Sequence, residues 1–387
     1  DLKSLLIKKK LTCEHLWREA RTKNNCSIIE KDFNDLLDLV HEEASQLSYA
    51  TNLTPYDSLI SKYDIDYDSV KIDEVFSIID KEIIPKYKNI QKIKSPFIYK
   101  SDISDAKIIK EIKIKLQQLN FDFDRGRIDQ SHHPFCGGAT NDVRITTRFE
   151  ENILESLSAL FHETGHGVYE QNRPIQYLYE PLGQSRSLSV HESQSLFFEN
   201  HIFKSQTYFK IINTIFDNSK DLEKSFLEHY HTVRINPIRV SADEFSYPIH
   251  VFIRYQIEKE IFKNKIKFKD IKDLWNKKYL DHLEIDLISD SEGVLQDIHW
   301  YEGIFGYFPT YALGAMIASQ IKYNCPLFDI FLKNPDKENI KQLIIWLNNN
   351  IHQKASLYSS DEMLQSISGE KLNSKYYLEH LVGRFVK

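Results

Sequence analysis

His162 and His166 stand four residues apart, with Glu163 beside the first, in His162-Glu163-Thr164-Gly165-His166. On a helix, residues at this spacing share one face, so two imidazoles can reach one metal ion. Zinc takes histidine nitrogen at about 2.0 to 2.1 Å and keeps a coordination position for water, whose proton a neighbouring glutamate can remove. The run Ile153, Leu154, Leu157, Leu160, Phe161 has helical spacing and leads directly into the pair, so a helix is expected here. Glu163 is then the candidate general base. The plain alternative, two histidines on a helix surface by chance, is disfavoured by that placement.

A catalytic zinc needs a third protein ligand. The residue six beyond His166 is Asn172, so the extended motif with a third histidine is absent. A carboxylate from a later helix is expected instead. Glu170, Glu180, Glu192 and Glu199 are candidates; Glu192, in Val190-His191-Glu192-Ser193-Gln194, opens an apolar-periodic segment able to pack beside the first helix.

These residues need a scaffold, and the chain reads as mainly helical. Only 12 Gly and 11 Pro are spread over 387 residues, and apolar residues recur three and four apart, as in Phe33, Leu36, Leu37 and Val40. Helices are expected near 31–49, 74–94, 104–119, 150–171, 188–216, 221–233, 247–264, 270–282, 309–323, 337–353, 359–368 and 374–385. The stretch 141–149 alternates and is rich in β-branched residues, which predicts one short strand. Lys8-Lys9-Lys10 reads as a solvated turn. With no repeat or Pro/Ser linker, residues 1–387 are expected to form a single elongated helical domain with a small sheet.

A net charge of -6 offers no footprint for nucleic acid. The apolar stretch from Tyr307 to Ile317 is too short to span a membrane and is interrupted by Pro309 and Gly314. The start at Asp1 has no signal-peptide pattern, and the lack of an initiating Met suggests a processed or trimmed chain. Cys13, Cys26, Cys136 and Cys325 are far apart, which argues against a disulfide framework or a thiolate metal site and for a reducing cytoplasm.

Beyond the metal motif, His133-Pro134-Phe135, Asp142-x-Arg144-x-Thr146, His191-Glu192-Ser193-Gln194 and Ile238-Arg239-x-x-Ala242-Asp243-Glu244-x-x-Tyr247 form a pattern. Gln296-Asp297-Ile298-His299-Trp300, Gly306-Tyr307-Phe308-Pro309-Thr310-Tyr311 and the Ile351-His352 region extend it. Together these resemble the carboxypeptidase Taq family of metallocarboxypeptidases, from about Trp17 to the C-terminus. The resemblance implies Glu192 as third zinc ligand, Glu163 as general base, a mainly α, neurolysin-like fold with a long substrate groove, and a homodimer. The family's chains usually carry roughly a hundred further residues before the point where this one begins, forming helices on the groove wall, so those helices are expected to be lacking and groove closure is affected. Where the family has Ser or Thr after His-Pro-Phe this chain has Cys136, either a thiol near the site or a buried, inert one.

The implied reaction removes C-terminal amino acids with broad specificity, using one zinc per chain, with cobalt an acceptable substitute for this nitrogen and oxygen ligand set. The tetrahedral oxyanion needs a donor besides the metal, and Tyr307, Tyr311 or His299 could supply it. Tyr311 is preferred because its spacing from His299 looks like that of related helical zinc peptidases; the alternative is a packing tyrosine. A free terminal carboxylate suits arginine's planar fork, and Arg239 is the candidate, unless it forms a structural ion pair with Asp243 or Glu244. Asp243 or Glu244 could instead orient a metal-bound histidine. His133 is a substrate contact or a structural histidine. The competing functions are a zinc oligopeptidase cutting internal bonds and an inactive zinc-binding scaffold.

Overall fold

The stripe Phe33, Leu36, Leu37, Val40, Ala44 is fully buried along the helix Glu30–Thr51, as 3.6-residue periodicity requires. The helix stops at Asn52, whose left-handed backbone (φ 60°) asparagine tolerates. The computed structural model describes residues 1–131, 134–149 and 152–386, and among these the chain is mainly helical with a small sheet. It divides into two compact units: one of residues 1–94 and 233–312, the other of residues 95–232 and 313–385, with Val386 counted in the first.

The first unit contains a helix the periodicity did not predict, Leu2–Thr22, capped by the Asp1 carboxylate on the Ser4 N–H. Lys8-Lys9-Lys10 lies inside it rather than in a turn, and Lys9 bridges Asp32 and Asp35 of the following helix at 3.0 Å each. Exposed Leu5, Ile7 and Leu11 blur the buried stripe of Leu6, Cys13, Trp17 and Ala20, which explains the omission. The predicted helix 74–94 is three pieces, Ser69–Ile78, a wider π turn Ile79–Ile83, and Ile84–Asn89. Pro85 has no N–H to bond a regular helix four residues back, and the wide turn precedes it. The helix Tyr247–Asn264 is buried on nearly every side over residues 248–258, and it carries the fully buried Arg254 and Glu258. Both organise the unit's polar cluster.

In the second unit the predicted strand is Asp142–Thr147, the centre of a three-stranded sheet. Gly126–Gln130 pairs with it in parallel and Cys136–Ala139 antiparallel. The two flanking strands were missed because they are short and glycine-bearing, without an apolar alternation. The helix Ile153–Gln171 packs on this sheet, Gly167 leaving room for Phe121 and Ile145. The segment predicted as one helix over 188–216 breaks up into Leu188–Leu196, a π-helical stretch Phe197–Phe203, and Gln206–Asn213. Ser205 restarts the helix by capping the Tyr208 N–H.

Candidate active site

The helix Ile153–Gln171 presents His162 and His166 with ring centroids 4.9 Å apart. Close approach of the helix Leu188–Leu196 brings Glu192 to them, and Gly165 permits it: any Cβ there would collide with the Gln194 carbonyl oxygen. Gly314 performs the same service behind Glu192, whose Cβ and Cγ would lie 2.8 Å from an added methyl. Glu192 Oε2 sits 3.7 Å from His162 Nε2 and 3.4 Å from His166 Nε2, and the three potential ligand atoms all lie within 4.8 Å of one another.

The far sides of both rings are held. His162 Nδ1 meets Glu199 Oε2 at 2.9 Å, and Glu199 Oε1 accepts from Ser158 Oγ at 2.8 Å and Lys204 Nζ at 2.7 Å. His166 Nδ1 lies 3.1 Å from the His191 carbonyl oxygen and 2.6 Å from His191 Nδ1. His191 Nε2 in turn meets Glu170 at 2.9 Å, and Glu170 accepts from Arg173 at 2.6 Å. Such partners fix the ring orientation and tautomer of metal-binding histidines.

Among the four candidate carboxylates, then, Glu192 faces both ring Nε2 atoms, Glu199 and Glu170 stand behind the rings, and Glu180 is exposed. Asp243, proposed from sequence as a histidine orienter, instead accepts the Arg234, Phe245 and Ser246 N–H groups and the Ser246 hydroxyl in the other unit. Behind the two rings stand Glu199 for His162, and the carbonyl and imidazole of His191 for His166. Glu199 lies seven residues past Glu192, a same-face spacing that the sequence contained, but nothing in it told ligand from supporter.

Electrostatically this cluster is short of positive charge. Burial works against a charged His162, yet Glu192, Glu199 and Glu163 outweigh it and push its pKa up to about 10. Burial and the neighbouring His191 lower His166 to about 4. Burial alone would raise Glu199, but Lys204 and His162 hold it well below the usual carboxylate range. Glu163 is raised to about 7, by burial first and then by Glu192 and Glu199, with His162 opposing. Two imidazoles, a carboxylate and a surplus of negative charge suit a divalent cation, which would displace the His162 proton, so the residues present fit a metal. Cys136 is only partly buried; burial and the charges of Glu163 and Glu170 push its thiol up, so it stays protonated.

The remaining candidates belong to the first unit. Arg239 is paired with Asp297, Nη2 to Oδ1 at 2.9 Å and Nε to Oδ1 at 3.1 Å, and donates Nη1 to Tyr247 Oη at 3.0 Å. Arg239 is thus in an ion pair, but with Asp297 and not with the Asp243 or Glu244 considered from sequence. His299 Nε2 lies 3.2 Å from Tyr311 Oη, and the Tyr307 and Tyr311 rings are 5.2 Å apart. Burial lowers His299 to about 4, Asp297 opposing and both Arg239 and Arg254 assisting, so the imidazole is neutral at physiological pH. His133 lies outside the described residues.

A fold and a metal cluster of this kind define a metallopeptidase, and comparison with known proteins specifies which. The model of the carboxypeptidase Taq (M32) metallopeptidases matches residues 1–385. Carboxypeptidase 1 of Bacillus subtilis is 35% identical over 96% of this chain and 76% of its own length, and thermostable carboxypeptidase 1 of Pyrococcus furiosus is 30% identical with the same coverages. Trypanosoma cruzi metallocarboxypeptidase 1 has a solved structure that superimposes with a TM-score of 0.90 at 30% identity, over all of this chain and 80% of that one. The chain belongs to the carboxypeptidase Taq (M32) family and is a metallocarboxypeptidase. That assignment does not favour the oligopeptidase or the inactive scaffold. Among the described residues no helix is long and apolar enough to cross a membrane.

Proposed function

We propose that the metal is zinc, one per chain, held by His162, His166 and Glu192, with Glu163 as the general base of peptide hydrolysis. The observation that carries this reading is the convergence of His162, His166 and Glu192, whose ligand atoms all lie within 4.8 Å of one another. When bound, the cation supplies Lewis acidity to a water and to the scissile carbonyl. Glu163 receives the water's proton on its carboxylate and returns it to the departing amine, one carboxylate serving as base and then as acid. Cobalt would also satisfy these ligands.

Tyr311 donates its hydroxyl to the oxyanion in this reading, with neutral His299 as its neighbour; Tyr307 or His299 is the alternative donor. Arg239 binds the substrate's terminal carboxylate. His133 contributes a substrate contact. The substrate is a peptide, shortened one C-terminal residue at a time with broad specificity, and neither nucleic acid nor membrane takes part. The protein works as a cytoplasmic homodimer, residues 1–387 acting as one catalytic domain. Metal analysis of His166→Ala tests the ligand set: loss of stoichiometric metal is expected, and full retention would remove His166 from it.

A further inference from the structure

Arg239 is 5% exposed and Arg254 is fully buried, and one aspartate serves both. Asp297 Oδ1 takes the Nε and Nη2 hydrogens of Arg239, while Oδ2 accepts Arg254 Nε at 2.6 Å. Gln296 Oε1 ties the same pair together, accepting the Arg239 backbone N–H at 2.9 Å and Arg254 Nη2 at 2.7 Å. With Nη1 also donating to Tyr247, three of the guanidinium's five N–H hydrogens are occupied. One hydrogen on Nη1 and one on Nη2 have no partner among the described residues. Rings of Tyr311, Phe308 and Tyr247 surround the guanidinium carbon at 5.0, 5.6 and 5.9 Å, which confines its plane.

Charge points the same way. Two arginines share one aspartate, so a positive charge is left over in a desolvated place. Glu258, four residues beyond Arg254, does not take it up by contact: its oxygens accept from Trp300 Nε1, Tyr56 Oη and the Gly306 N–H. An incoming carboxylate offers two oxygens and one negative charge, matching two free hydrogens and one surplus positive charge.

We propose that Asp297, braced by Arg254, is a positioning residue for substrate: it grips one edge of Arg239 so that the free hydrogens of the fork are aimed at the terminal carboxylate of the peptide. This rests on the reading of Arg239 as the carboxylate clamp. Asp297 touches no substrate itself; it acts by orientation, which a charge-neutral partner of similar shape does not reproduce.

The test compares metal-loaded enzyme on an N-blocked dipeptide and on its C-terminal amide, and takes the ratio of the two kcat/KM values. That ratio does not depend on how much of a variant is folded. Asp297→Asn is expected to lower it about tenfold or more, through KM for the free acid, with kcat for that substrate within about threefold of wild type. The double variant Asp297→Asn with Arg254→Met restores the cluster's native net charge of one and keeps the test alive if the single variant does not fold. It should regain thermal stability and keep the low ratio. A wild-type ratio in Asp297→Asn, or its recovery in the double variant, would reduce Asp297 to a charge balance and overturn the proposal. Arg239→Lys separates the two ideas. An unchanged ratio there refutes the clamp itself, whereas a lowered ratio there with unaltered Asp297 variants refutes only the positioning role.

Discussion

The two polar clusters of this chain are opposites in charge. In the second unit, Glu163, Glu192 and Glu199 gather around two imidazoles, and the carboxylates outnumber Lys204, the lysine paired with Glu199. In the first, Arg239 and Arg254 gather around one aspartate, and the cluster lacks an anion. Buried charge is tolerated when it is paired and hydrogen-bonded, so each imbalance marks a place where a ligand completes the pairing. A metallocarboxypeptidase needs both kinds of completion, a metal for the chemistry and a carboxylate for recognition of the chain end. Each cluster is also built by close helix or loop packing, through Gly165 and Gly314 in one and through the buried helix Tyr247–Asn264 in the other.

The largest effect is expected from Asp297→Asn on stability, because it strands two buried arginines: about 3 to 5 kcal/mol by thermal or denaturant unfolding. Its acid dependence has a definite sign. Burial raises Asp297, but Arg239 and Arg254 override it and hold the carboxyl well below the ordinary aspartate value. A depressed folded-state pKa contributes stability that is present above about pH 4, where the unfolded chain is also ionised, and is lost as pH falls below it. The wild type should therefore lose stability on acidification below pH 4 more steeply than Asp297→Asn; equal slopes would show that the pair is not coupled to folding.

A smaller effect is expected from Glu199→Gln, which keeps the shape behind His162 and removes the charge. Removing such a partner typically weakens metal affinity ten- to a hundredfold, measurable by chelator competition. Wild-type affinity would show that Glu199 serves only Lys204 and Ser158. The smallest is expected from Gly165→Ala, whose methyl must push the helix Leu188–Leu196 away from the histidines. Overpacking of this kind costs about 1 to 3 kcal/mol of stability, and the shift of Glu192 should loosen the metal by less than about tenfold. An unchanged unfolding midpoint would mean that the helices separate freely.

Sequence carried the metal cluster further than the arginine cluster, for a physical reason. His162, Glu163 and His166 are placed by the pitch of one helix, so spacing sufficed, and periodicity likewise recovered helices such as Tyr247–Asn264 and Glu30–Thr51. Glu192 and Glu199 both had suitable spacing, and only the packing across Gly165 distinguishes the one facing Nε2 from the one behind Nδ1. Arg239 and Asp297 are 58 residues apart, and no local rule joins them. The resemblance to the family contained Asp297 without giving it a task. Leu2–Thr22 and the two short strands escaped because exposed apolar residues or glycines hid their periods.

The central claim is that His162, His166 and Glu192 hold the metal while Glu163 moves the proton, and metal content and hydrolysis measured together on Glu163→Gln test it most directly. The amide keeps the side chain's shape but cannot accept a proton, so full metal content is expected with kcat reduced at least about a hundredfold. Turnover near wild type in a metal-replete Glu163→Gln protein would contradict the assignment.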